Sequence, residues 1–219
     1  GFVGKEYYKG KDWLNIDFGI ESNYPYHIEY PAGKLIIDSD HKLYETQLKY
    51  YDPEWNFIED GTVIDGTNLQ DERYFKNYIH LVNSWLKVVP LEIDLDTCII
   101  NFRGGEYSLY PELFLQPEYW DKAIHIMRAK YFIKRFEVHT DDLITAKKFF
   151  PEFEIKTGID LNWRSVRYAK YTILSNSAFG IIPSLLSDSR VIIAPRYWAR
   201  RNIKQWSMPS NYYQRFQYI

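Results

Sequence analysis

The chain has 219 residues, 46% of them hydrophobic and 26% charged, with 27 basic side chains against 29 acidic ones and a formal net charge of −2. That length holds one large domain or two small ones, and the charge balance speaks against a nucleic-acid footprint spread over the whole surface, so no nucleic-acid partner is expected. No apolar run approaches the roughly twenty residues that span a bilayer, so no integral membrane segment is expected.

The opening GFVGKEYYKG is charged and aromatic, unlike a signal peptide. Residues 1–60 are rich in Tyr, Asp, Gly and Pro, with a short strand expected at 34–38 and a turn or helix start at 52–55. From 70 to 86 the rhythm becomes helical. Tyr74, Phe75, Tyr78, Ile79, Val82 and Leu86 recur at three- and four-residue spacing and form one apolar face. Pro90 closes that stretch, and a domain boundary is expected there, separating 1–90 from 91–219.

Beyond the boundary, strands and helices alternate. Strands are predicted at 97–102, 134–140, 153–157, 171–175 and 190–195. The intervening helices fall at 117–130, 141–150, 160–170 and 178–186, the last interrupted by Pro183. Such alternation implies an α/β fold, a parallel sheet covered by helices on both faces. Cys98, the sole cysteine, has no intrachain partner, which fits a reducing, cytoplasmic setting. It lies in the first strand with no His or Asn beside it, so it reads as a buried structural thiol rather than a nucleophile. Aromatic residues make up 18% of the chain and suit either cores or the stacking of sugars and bases.

In open α/β sheets ligands sit beyond the carboxyl ends of the strands, so the residues that follow each strand carry the functional reading. Arg103, Gly104, Gly105 and Glu106 follow the first. A guanidinium there suits a phosphate, and two glycines would let the backbone approach one closely. The alternative is a turn in which Arg103 pairs with an acid such as Glu106. Asp141 and Asp142 follow the second strand; they suit a helix cap, a nucleoside contact or, as a weak ligand set, a metal. Ser175, Asn176 and Ser177 precede a helix and suit capping or phosphate binding at its N-terminus.

The order of these pieces resembles the α-1,2-fucosyltransferase family. Its H-x-R-R-G-D-Y motif is similar to the run Asn101, Phe102, Arg103, Gly104, Gly105, Glu106, Tyr107. Its S-D-D segment looks like Thr140, Asp141, Asp142. A D-L…N-S-S-F stretch is matched by 160–186, with Ser175, Asn176, Ser177 and Phe179 in the second part. The I-A-P-K-x-W ending is matched by Ile193 to Trp198, and an upstream segment by 44–75. The chain departs from the pattern at Asn101 for His, Gly104 for the second Arg, Glu106 for Asp, and Ile181 and Ile182 for two Trp. The family's opening glycine-rich segment has no counterpart, so a fragment or a branch with a reduced acceptor domain is expected.

The resemblance implies a GT-B-like architecture, with a reduced, irregular N-terminal region and a Rossmann-type domain that binds a nucleotide sugar. It implies inverting, metal-independent transfer of a sugar, fucose from GDP-fucose, to a hydroxyl of a glycan acceptor, with no cofactor beyond the donor. Arg103 and Glu106 would be catalytic, the first stabilising the diphosphate and the second acting as base. Asn101, Gly104, Gly105, Tyr107, Asp141, Asp142, Ser175, Asn176, Ser177 and Phe179 would bind the donor. Two other readings stand beside it: a non-catalytic nucleotide- or carbohydrate-binding module, and a structural α/β domain whose Arg103 is merely paired in a turn.

Overall fold

The computed structural model describes residues 43–45, 63–65, 76–197 and 213–219, and the chain divides into two units between Lys87 and Val88. In the first unit, β1 (Leu43–Glu45) pairs in parallel with β2 (Val63–Asp65), neither of which the sequence patterns anticipated. A 3₁₀ turn at Lys76–Tyr78 leads into α1 (Ile79–Trp85). On the expected apolar face, Ile79, Val82 and Leu86 are half-buried, whereas Tyr78 is exposed. Tyr74, Phe75, the strand expected at 34–38 and the turn expected at 52–55 lie outside the described residues.

The second unit is built on β3 (Thr97–Phe102), six residues all buried. A strand covered on both faces needs apolar and β-branched residues without alternation, and TCIINF is close to that composition. It is followed by α2 (Pro117–Tyr131), β4 (Arg135–Thr140), α3 (Leu143–Phe149), β5 (Glu154–Thr157), α4 (Ile159–Tyr168), β6 (Tyr171–Leu174), α5 (Ala178–Leu186), β7 (Val191–Ala194) and β8 (Phe216–Tyr218). All six strands are parallel, in the order β5-β4-β3-β6-β7-β8. The expected parallel α/β sheet is therefore present.

Two boundaries moved for physical reasons. The helix expected from Asp141 begins at Leu143, because Asp142 is extended and accepts the Thr145 N–H at 3.0 Å as an N-cap. The helix expected from Asp160 begins one residue earlier, after Gly158 at φ 118, a value glycine tolerates and other residues rarely adopt. Strand β8 was not foreseen, and neither was the 3₁₀ turn at Gly105–Leu109.

The two faces of the sheet differ in chemistry. On one, Cys98, Ile100, Phe102, Phe136 and Val138 pack with Trp120 and Met127 of α2 and with Ala146 of α3. The Phe102 ring lies 5.4 Å from Trp120 and 5.3 Å, edge-on, from Phe150, so part of the aromatic surplus fills this core. Side chains alternate across a strand, so Asn101, Glu137, His139 and Thr172 face the other way, towards α4 and α5. Those helices answer with buried Asn162, Ser165 and Ser184 as well as Trp163 and Val166. Arg215, just before β8, donates to the carbonyls of Leu185 and Ser187, each at 2.9 Å, and so ties down the end of α5. Among the described residues no helix is long and apolar enough to cross a membrane.

Candidate functional site

Strand order in the second unit reverses between β3 and β6: β4 and β5 build outward on one side of β3, and β7 and β8 on the other side of β6. In open α/β sheets the ligand crevice lies outside the carboxyl ends of the strands at such a reversal. The loop after β3 carries Arg103 to Tyr107, and the loop after β6 carries Ser175 to Ser177. The loop after β4 carries Asp141 and Asp142 next to them.

The β3 and β4 loops interlock. Gly104 donates its N–H to Asp141 Oδ1 at 3.0 Å. The other oxygen of Asp141 pairs with Arg103 Nη1, while Arg103 Nη2 donates to Glu106 Oε1 at 3.2 Å. The guanidinium carbon stands 5.4 Å from the Tyr107 ring centroid, within cation–π range. Asp142 caps α3 and itself donates its N–H to Thr140 Oγ1 at 2.9 Å. Burial opposes its ionisation, but the Thr145 and Ile144 hydrogen bonds outweigh that and hold its carboxyl below the ordinary range.

The two glycines pack closely against the β4 loop. A Cβ on Gly104 would lie 2.6 Å from Asp142 Cβ, and one on Gly105 would lie 2.5 Å from Asp141 Oδ2. Bare positions here let the two aspartates sit against the β3 loop. Gly105 also has φ +34. The pairing of Arg103 with Glu106, foreseen as the alternative to a phosphate, is present, and Asp141 joins it.

The β6 loop is fastened from below. Ser175 donates its N–H to the Asn101 carbonyl at 3.0 Å and its hydroxyl to Asn101 Oδ1 at 3.3 Å. Asn176 donates to the Leu113 carbonyl at 3.0 Å. Ser175, Asn176 and Ser177 are all buried, and Ser177 is the N-cap of α5 without a side-chain cap bond. Phe179, in the first turn of α5, and Tyr107 are half-buried. The structure thus gathers Arg103, Gly104, Gly105, Glu106, Tyr107, Asp141 and Asp142 into one cluster, in which Glu106 and Asp141 are exposed, Gly104 is buried and the others are half-buried. Asn101, Ser175, Asn176 and Ser177 lie in the buried layer that holds the neighbouring loop in place.

Three further residues support this rim: Thr140, named in the sequence only as part of a motif, and Asn162 and Gly180, which the sequence reading missed. Thr140 receives the Asp142 N–H, Asn162 donates to the Thr140 carbonyl at 3.1 Å, and Gly180 makes room for Asn101. The cross-strand register, which places Thr140 beside Phe102, is the structural signal for the first.

A separate cleft of about 660 Å³ opens under α4, lined by residues that include Leu91, Glu137, His139, Lys156, Ser165 and Tyr168. None of the expected site residues lines it. Lys156 Nζ lies 2.8 Å from Glu137 Oε2, and buried His139 places its Nε2 3.5 Å from the same oxygen. Burial depresses the basicity of His139, Glu137 pulls the other way, and the net shift is downward. Among the described residues no three His, Cys, Asp or Glu side chains are grouped so as to hold a metal ion.

No family model and no curated protein matches the chain. Among solved structures, the E. coli heptosyltransferase WaaC with ADP superposes with a TM-score of 0.41 at 13% identity, over 73% of this chain and 45% of that one. The chain therefore spans less than half the length of that structure.

Proposed function

We propose that the 88–219 unit binds a nucleoside diphosphate sugar at the reversal between β3 and β6, and that the protein is a glycosyltransferase. Fucose from GDP-fucose is the donor that the motif resemblance favours, and a glycan hydroxyl is the acceptor. One coincidence of place carries the reading. The three segments that resemble the fucosyltransferase motifs, at 101–107, 140–142 and 175–179, are the loops at the carboxyl ends of β3, β4 and β6, around the reversal.

In this reading Arg103 offsets the charge that builds on the diphosphate as the bond between the anomeric carbon and the phosphate oxygen breaks. A fixed cation where charge develops is the largest electrostatic aid to such a step. The bonding electrons leave with the nucleoside diphosphate. The acceptor oxygen bonds to the anomeric carbon from the opposite face, and its proton passes to a carboxylate, for which Glu106 is the candidate. The first turn of α5 offers N–H groups and a favourable dipole to the phosphates. Asn101, Ser175 and Asn176 act indirectly by holding that turn in register. Asp142, already a cap, keeps a structural role, while Asp141 orients Arg103.

One observation favours a second reading, a non-catalytic binding module of the same fold: Arg103 already has two carboxylate partners. Hydrolysis of the donor separates the two. Slow release of free sugar from a nucleotide sugar, abolished in Arg103→Ala, supports the enzyme. Nucleotide binding without turnover for any acceptor supports the module.

A further inference from the structure

Arg103 presents two ends to its surroundings, and the partners at those ends differ in how firmly they are held. Asp141, on Nη1, also accepts the Gly104 N–H at 3.0 Å and is wedged where a Gly105 Cβ would come within 2.5 Å of it. Its side chain is 30% exposed. Glu106, on Nη2, is 66% exposed, sits in the five-residue 3₁₀ turn, and is joined to Arg103 at 3.2 Å. One carboxylate is built into the loop; the other is attached by its tip.

We infer that the Glu106 carboxylate occupies the anion-binding end of Arg103 and that a nucleoside diphosphate binds by displacing it. The inference rests on the nucleotide-sugar reading above. An exposed ion pair is weak, whereas a phosphate brings more charge and a geometry that matches the guanidinium fork. Asp141 stays in place and keeps the guanidinium aimed. Displacement also releases a carboxylate beside the donor as the donor arrives, so the base becomes available only after nucleotide binding, which sets the order donor first, acceptor second.

The test is calorimetric titration of the full chain with GDP, and with UDP and ADP in turn, using wild type, Glu106→Gln, Glu106→Ala, Arg103→Ala and the Arg103→Ala/Glu106→Gln double variant. Removing the competing charge is expected to tighten nucleotide binding about 2–5-fold in both Glu106 variants, the range set by an exposed ion pair. Arg103→Ala is expected to bind at least about tenfold more weakly, and the added Glu106→Gln change to make no further difference. Equal or weaker binding by both Glu106 variants, with Arg103→Ala still impaired, overturns the displacement and leaves the nucleotide reading intact. No binding of any nucleotide by any protein overturns the nucleotide reading, and the displacement with it.

Discussion

Gly180 lies against the side chain of Asn101: a Cβ on Gly180 would stand 2.6 Å from Asn101 Oδ1 and 3.3 Å from a methyl group of Leu174. Helix α5 reaches the carboxyl end of the sheet only because that position is bare. In an ordinary helix interior, Gly→Ala gains about 0.5–1 kcal/mol. Here crowding of a close-packed contact costs about 1–3 kcal/mol, so Gly180→Ala is expected to lower stability by about 1–2 kcal/mol. Urea denaturation checks this. In an Asn101→Ala background only the Leu174 contact remains, and the cost of the same change is expected to shrink.

Gly105 is constrained twice, by φ +34 and by the closeness of Asp141 Oδ2. Gly105→Ala is expected to lose about 2 kcal/mol, of which the left-handed backbone accounts for about 1–2 kcal/mol. It also pushes Asp141 away from Arg103, so nucleotide affinity should fall together with stability. A variant that kept both its melting temperature and its affinity would show that this loop is not held as described.

His139 should leave a mark on the dependence of stability on pH. Its folded-state value lies below the ordinary 6.5 because the ring is buried. As pH falls through about 6.5 the unfolded chain takes up the proton first, and the folded chain does so only lower down. Between those two points stability falls with falling pH, by at most about 1.4 kcal/mol per unit from this group. Glu137, Lys156 and Asn162 surround the ring; the first and last favour its protonation and Lys156 opposes it. His139→Leu is expected to flatten the slope between pH 7 and 5, because it removes the titrating ring. A slope identical to wild type would exclude His139 as its source.

Cys98 is fully buried, and burial pushes its thiol well above the ordinary value. The folded protein is therefore expected to resist thiol reagents at neutral pH, with modification following global unfolding. Labelling at a rate independent of urea below the transition would contradict this.

The alternation of strands and helices from β3 to β7 was legible because those elements carry local signals. Pro117 opens α2, Pro151 follows α3, and apolar runs mark β3 and β7. The end of the chain was not, because β8 is three residues long and gains its strand character from pairing with β7, a contact no local pattern encodes. The site shows the same division. Arg103, Asp141 and Ser175 were singled out because strand ends are where ligands bind in such sheets. The Arg103–Glu106 pair is local and was foreseen, but the Gly104–Asp141 bond was not, because it joins residues 37 apart in sequence. For the same reason the two glycines read as space for a ligand, and their closeness to Asp141 and Asp142 was not legible. In α1 the periodicity marked a half-buried face but could not say that Tyr78 would be exposed.

The central claim is that a nucleoside diphosphate engages Arg103 at the reversal of the sheet, and thermal denaturation with GDP, UDP and their sugars tests it most directly. At about 100-fold excess over the dissociation constant, binding to the folded state alone adds about 2.7 kcal/mol, about 5–10 °C for a chain of this size. One nucleotide family is expected to produce that rise in wild type, and Arg103→Ala, binding at least about tenfold more weakly, is expected to keep no more than about half of it at the same concentration. The account is contradicted if no nucleotide moves the transition, or if Arg103→Ala shifts as far as wild type.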